Sequence, residues 1–235
     1  MKAARAPFAI MATSPVRRTL GDSALWQRYM RNRYAVLFYS LLVMLIAIPA
    51  AGAFGLPQVL IKLVLAACLL AAVMPNAPKR WRTALMAGIL LLILLRFVAE
   101  PDAAPISFGP VLALYGVAGL LAAGLTLRFV IHAPVVDSET VHASLSTYLL
   151  AGLFFGVIYS AIEFMRPGSF SGPSAFDESA AIYYSFVTLA TLGYGDFLPR
   201  TEFARGVATF EVIGGQLYLA VMVARLIGAF GVKKA

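Results

Sequence analysis

Thr191-Leu192-Gly193-Tyr194-Gly195-Asp196 lies between two long apolar stretches near the C-terminal end of the sequence. A threonine followed by two glycines that bracket an aromatic suits a strand whose successive carbonyls all aim one way. Such a strand alternates between ordinary and mirror-image backbone conformations, and glycine at 193 and 195 visits positive φ without a Cβ clash. Carbonyls from several converging copies can replace the water shell of a dehydrated monovalent cation such as potassium. The Thr191 hydroxyl can add a ligand at the inner end, with the side chains of Leu192 and Tyr194 turned away. A glycine-rich turn between two helices is the plainer reading, and an isolated Gly-Tyr-Gly would suggest no more than that.

The surroundings are those of a membrane protein. Of 235 residues, 61% are apolar and only 13% charged, with mean hydropathy +0.85, outside the range of soluble globular domains. Stretches of bilayer-crossing length run over Tyr34–Phe54, Pro57–Met74, Thr83–Ala99, Gly109–Leu127, Leu145–Met165 and Phe203–Phe230. The expected fold class is therefore all-α, with six transmembrane helices. A seventh stretch, Asp177 to Ala190, is too short and too polar to cross, and is expected to be a re-entrant pore helix leading straight into the filter.

Lys and Arg collect in cytoplasmic loops. Here they crowd the first 33 residues, the loop at Lys79, Arg80 and Arg82, the position Arg128, and the tail at Lys233 and Lys234. Six crossings from a cytoplasmic N-terminus put all of these on one side. The opposite side carries Arg166, Arg200 and Arg205 against Glu100, Asp102, Asp177, Glu178, Asp196 and Glu202, an acidic face that would concentrate cations. The net charge of +8 is thus a topology signal, and nucleic acid is not called for as a partner. The apolar run Phe8–Ala12 is too short for a secretory signal. Cys68 is the single cysteine, inside the second span, so no disulfide framework or thiolate metal site is expected.

The expected organisation is a basic cytoplasmic tail (1–33), a four-helix membrane region (34–132), a cytoplasmic linker (133–144), a helix, loop and helix module (145–230) and a short cytoplasmic C-terminus (231–235). Pro134 stops the fourth helix, and Asp137 or Ser138 can cap the next, with Glu139 near its positive end. A voltage sensor needs several arginines at every third position in its fourth helix; Gly109–Leu127 has none, and Arg128 reads as an anchor. Lys62 and Arg96 are the basic groups at membrane depth before the module, with Arg96 able to snorkel or to pair with Glu100. His132 and His142 flank the linker and are expected to sit in water. No nucleophile triad, metal-ligand cluster or phosphate loop is visible, so an enzyme is not expected.

From about Leu145 to Phe230 the chain resembles the pore module of bacterial tetrameric potassium channels. The pieces stand in the required order: outer helix Leu145–Met165, turret Arg166–Phe176, pore helix to Ala190, filter Thr191 to Gly195, and inner helix from Phe203. The resemblance implies potassium coordination at Thr191, Leu192, Gly193 and Tyr194, a tetrameric pore, and a pore helix aiming its negative end at the cavity. It implies filter support from Tyr183, Tyr184 and Asp196, which can accept from the Tyr183 hydroxyl, and a hinge glycine at Gly215 beside Gly214, for which close packing is an equal reading. Leu192 replaces the usual valine, and Val187 stands where some members have a carboxylate. Glu211 interrupts the apolar inner helix; it can support the back of the pore helix, with Thr188 as its partner, or face the cavity and attract cations. Val223 and Ile227 can form an apolar inner gate, and Arg225 an anchor in headgroups or on a neighbouring subunit.

One chain supplies one filter strand, so three identical subunits are the implied partners, with membrane lipids around them. The expected function is passive, selective potassium conduction across an inner membrane, with both termini cytoplasmic, potassium as permeant ion and no cofactor. A weakly selective cation channel, a secondary cation transporter and a non-conducting scaffold are the alternatives.

Overall fold

The computed structural model describes residues 29, 31–54, 58–73, 80, 82–98 and 105–231. Seven helices and two short strands follow one another: α1 (Arg33–Phe54), α2 (Gln58–Val73), α3 (Arg82–Val98), α4 (Pro105–His132), α5 (Ser138–Met165), β1 (Phe170–Ser171), α6 (Glu178–Leu189), β2 (Leu198–Pro199) and α7 (Glu202–Gly231). Met1–Arg31 and Asn32–Ala235 form separate units, and the second holds all of these elements. Most of the expected 1–33 tail, and residues 232–235, lie outside the described residues.

The fold is helical and of membrane type. Four helices, α1, α4, α5 and α7, are long and apolar enough to cross a bilayer. The second and third expected spans appear as α2 and α3, apolar but only 16 and 17 residues long. Pro57, Met74 and Ala99, the expected ends of these spans, lie outside the described residues. The fourth and fifth spans run longer than expected, 28 residues each.

The linker expected over 133–144 is correspondingly shorter, because α5 is already helical at Ser138. Asp137 caps it, accepting from the Thr140 N–H at 2.8 Å and from the Thr140 hydroxyl at 2.7 Å. One orphan backbone donor is thereby satisfied and the cap is held by a second bond to the same residue, so the helix starts at Ser138. Glu139 takes the backbone N–H of Tyr34 at 3.0 Å, joining the start of α5 to the start of α1.

Glycines set how closely the helices meet. On α4, Gly119 lies under the ring of Phe154, where a Cβ would stand 2.0 Å from the ring carbons. On α5, Gly152 and Gly156 form a small-xxx-small step that seats α6: a Cβ at Gly156 would stand 2.6 Å from the Cα of Ile182. Around this seam Leu150, Leu153, Phe154 and Val157 are fully buried with Tyr34, Leu41 and Leu112. A second cluster of Tyr159, Phe170, Tyr184 and Phe197 underlies the segment that leaves the filter, with Phe170 stacked on Phe176 at 4.1 Å. The two strands pair Phe170 with Pro199 and Ser171 with Leu198, tying the turret to the residues after the filter.

Gly156→Ala is expected to destabilise the protein by about 1–3 kcal/mol, since backbone must move to admit the methyl. Gly124→Ala, where a Cβ meets open space, is expected to keep or slightly raise the thermal midpoint, since alanine is the better helix former. A second expectation concerns Asp137, whose carboxyl is held below the usual range by the side-chain and then the backbone hydrogen bond from Thr140. A carboxyl depressed in the folded chain contributes stability at neutral pH that is lost as pH falls through the folded value. Asp137→Ala is therefore expected to lower the thermal midpoint at pH 7 and to differ less from the parent in acid; equal losses at both pH values would exclude this.

Candidate functional site: the re-entrant loop

The re-entrant segment opens with Asp177, whose side chain accepts from the Ala180 N–H at 2.8 Å and starts α6. The helix runs Glu178–Leu189 and ends at Ala190, with φ −80° and ψ 0°. Beyond it the chain folds back on the helix end. The N–H of Thr191 donates to the Thr188 carbonyl at 2.9 Å, and those of Leu192 and Gly193 donate to the Val187 carbonyl at 2.9 and 3.4 Å. The backbone then alternates: Thr191, Gly193 and Gly195 have φ of 58°, 56° and 78°, while Leu192 and Tyr194 stay in the ordinary half.

Two consequences follow from that geometry. The amide hydrogens of residues 191–193 are spent on α6, so none of these three is left to point where a cation would sit. The carbonyls of 191–195 accept no hydrogen bond from the described residues, which leaves a run of free oxygens. Gly193 and Gly195 have open space where a Cβ would be, so backbone conformation rather than crowding requires glycine there. Positive φ at Thr191 was not foreseen from the sequence. A β-branched residue there is strained, by about 1–3 kcal/mol, and its hydroxyl donates to the Ala190 carbonyl at 2.7 Å, keeping the oxygen lone pairs available.

The outer end of the loop is strapped down by Asp196, which accepts from the Tyr183 hydroxyl at 2.8 Å and from the Phe197 N–H at 3.0 Å. Tyr184, one residue on, turns inward and packs edge-on against Tyr159 at 5.0 Å. Leu192 and Tyr194 have 57% and 67% of their surface exposed, with nothing of their own chain behind them.

Glu211 lies on α7, 1% exposed, along the stripe of Ala204, Ala208 and Gly215 that packs against α5 and α6. Its Oε2 accepts from the Tyr159 hydroxyl at 2.5 Å, and Oε1 meets the Ser185 hydroxyl. The partner on the pore helix is thus Ser185 rather than Thr188, one turn nearer the helix start. Ser185 Oγ also stands 2.7 Å from the Gly152 carbonyl. A hydroxyl has one proton, and an ionised carboxylate and a carbonyl are both acceptors. A neutral carboxyl at Glu211 closes the count: it donates to Ser185, which donates to Gly152.

The other inner-helix residues separate. Gly215 abuts the pore helix, where a Cβ would stand 3.2 Å from the Leu189 carbonyl, whereas Gly214 has open space around it. Helix α7 is continuous through both. Val223 and Ile227 are exposed and one turn apart. Arg225 donates to the Ile131 carbonyl and, at 2.6 Å, to the Ala133 carbonyl, closing the negative end of α4. Arg96 pairs with Glu178; Glu100, the partner expected for it, lies outside the described residues. His132 and His142 each spend Nδ1 on the carbonyl four residues earlier, at 2.8 and 2.7 Å.

Sequence reasoning missed Ser185, Tyr159 and the glycine seat. The Gly152-x-x-x-Gly156 spacing could have revealed the seat. Glu211→Gln, which keeps the size, the neutrality and a donor, is expected to retain the parent's thermal midpoint. Glu211→Leu orphans the Tyr159 hydroxyl, at about 1–3 kcal/mol per buried group left unpaired. Equal thermal midpoints for the two variants would contradict the arrangement.

A family model described as an ion channel matches residues 145–231. The chain is also 34% identical over 87 residues to the inward rectifier potassium channel Kirbac3.1 of Paramagnetospirillum magnetotacticum, covering 35% of this chain and 27% of that relative. It therefore spans about a quarter of the length of the curated relative it matches. No solved structure matched the chain. These matches fall on the same stretch as the re-entrant loop, so residues 145–231 are similar to an ion-channel module, carried by a multi-pass membrane protein.

Proposed function

We propose that the protein is a potassium-selective channel in which four identical chains bring residues 191–195 around a common axis. The observation that carries this reading is the alternation of φ at 191, 193 and 195 with the carbonyls of the loop left free. Four such strands stack rings of oxygens from Thr191, Leu192, Gly193 and Tyr194 that replace the hydration water of potassium, with the Thr191 hydroxyl below them. The exposed side chains of Leu192 and Tyr194 then find their packing on the neighbouring subunits. Asp196, Tyr183, Tyr184 and Glu211 hold the loop from behind, Thr188 contributes its carbonyl to the loop, Gly215 lets α7 approach the pore helix, and Val223 and Ile227 line an apolar constriction.

The physical task is selective binding and release of a permeant ion, with no covalent step and no cofactor. The chain sits in an inner membrane with both termini cytoplasmic and lipid around the helices. Helix α4, with no arginine before Arg128, is not a voltage sensor, so weak voltage dependence is expected. A weakly selective monovalent cation channel is the second reading. It is favoured by Leu192 in the filter and by Val187, which offers the filter no carboxylate.

Purified protein in liposomes loaded with potassium is expected to give a barium-sensitive flux, with a reversal potential in mixed potassium and sodium that follows potassium. Gly193→Ala places a Cβ at φ 56°, costing about 1–2 kcal/mol at each copy, and is expected to abolish that flux. Flux that ignores barium, or a reversal potential midway between the two ions, would favour the second reading; absence of flux from the parent protein would overturn both.

A further inference from the structure

Arg96 stands in the last turn of α3, in a helix otherwise free of charge after its first residue. It is 2% exposed. Its Nη2 bonds the Oε1 of Glu178, the first residue of α6. The guanidinium lies over the ring of Tyr115 on α4, 4.6 Å from its centre. One side chain from the N-terminal helices therefore touches α4 and the opening turn of the pore helix together.

A buried arginine needs a partner, since its charge cannot be shed by deprotonation. Glu178 supplies it, and is in turn stabilised by the positive end of α6. This removes Glu178 from the acidic residues that the sequence would assign to the outer face. At the other end of the same helix, the carbonyls of Val187 and Thr188 hold the N–H groups of the filter. A rigid helix of 12 residues connects the two. A tilt at Glu178 displaces the carbonyls that fix residues 191–193.

We propose that Arg96 is a positioning residue for the filter: through Glu178 it fastens the pore helix to the N-terminal helices, which thereby set the filter's ion preference. This rests on the channel reading above. The planar guanidinium matters as well as its charge, because it stacks on Tyr115 while bonding Glu178; a lysine carries the charge without the plane.

The test uses the full-length protein in liposomes, reading the reversal potential in mixed potassium and sodium, together with the thermal midpoint in each of the two ions. Arg96→Met and Glu178→Gln are each expected to lower the potassium preference several-fold and to shrink the extra heat stability that potassium confers over sodium. The double variant is expected to be no worse than the poorer single one. Arg96→Lys should recover part of the loss, and the exchange Arg96→Glu with Glu178→Arg more than either single change. If Arg96→Met does not fold, Glu178→Gln decides, because it keeps the side chain's size while removing the ion pair, and so loosens the hold on α6 without leaving a cavity.

Unchanged ion preference in a folded variant overturns the proposal, as does a midpoint that falls equally in both ions, which is the mark of a merely structural role. Additive losses in the double variant also overturn it. If the parent conducts with barium block and the variants match it, only this inference fails; if the parent does not conduct, the channel reading fails first.

Discussion

The amide hydrogens of residues 191–193 decide what the rest of the re-entrant segment can be. Donated forward, they would line the loop with positive dipoles and make it a site for anions. Donated back to the carbonyls of Val187 and Thr188, they leave oxygen as the group that the loop presents. That pairing needs a helix ending just there, a left-handed residue directly after it, and glycine at alternate positions beyond. Each need is met by a named residue: Ala190 at the end of the helix, Thr191 at φ 58°, and Gly193 and Gly195. The helix must then be held, because any drift of Val187 is passed on to Leu192 and Gly193. The glycine seat on α5, the Glu211 carboxyl, the Asp196 strap and the aromatic cluster around Tyr159 act on different faces of one short helix.

Much of this was legible in the residues. The filter string, its place between two apolar stretches and the polar start of the pore helix at Asp177 led to the element order observed. Helix capping obeys local chemistry, so Asp137 could be narrowed to one of two candidate caps, and the short stretch could be started at Asp177, where the helix cap is found. The ends of α4 and α5 were harder, because apolarity marks the part of a helix that fits in a membrane, while hydrogen bonding continues beyond it. The linker therefore looked longer than it is.

Partners separated by many residues were the least legible. Glu211 was singled out by the cost of a carboxyl in an apolar helix, yet Ser185 and Tyr159 could not be named, because no spacing rule connects residues 26 and 52 positions away. Arg96 was noticed for the same reason, with snorkelling or the nearby Glu100 as its expected ways out; the acid that the described residues supply lies 82 positions on. The left-handed Thr191 escaped because threonine is a poor candidate for positive φ, and only the demand that three successive N–H groups turn back onto the helix overrides that preference. A buried charge thus announces that it has a partner, and the fold alone says which.

The antiparallel pairing of Phe170 with Pro199 and of Ser171 with Leu198 closes the segment between them into a loop within a single chain. Helix α6, residues 191–195 and the Asp196 strap all fall inside that closed stretch. Protomers of the proposed assembly would each bring residues 191–195 within a loop already closed at its base. Where four of them meet around the proposed axis, association would be the docking of finished parts, and little ordering entropy would be left to oppose it.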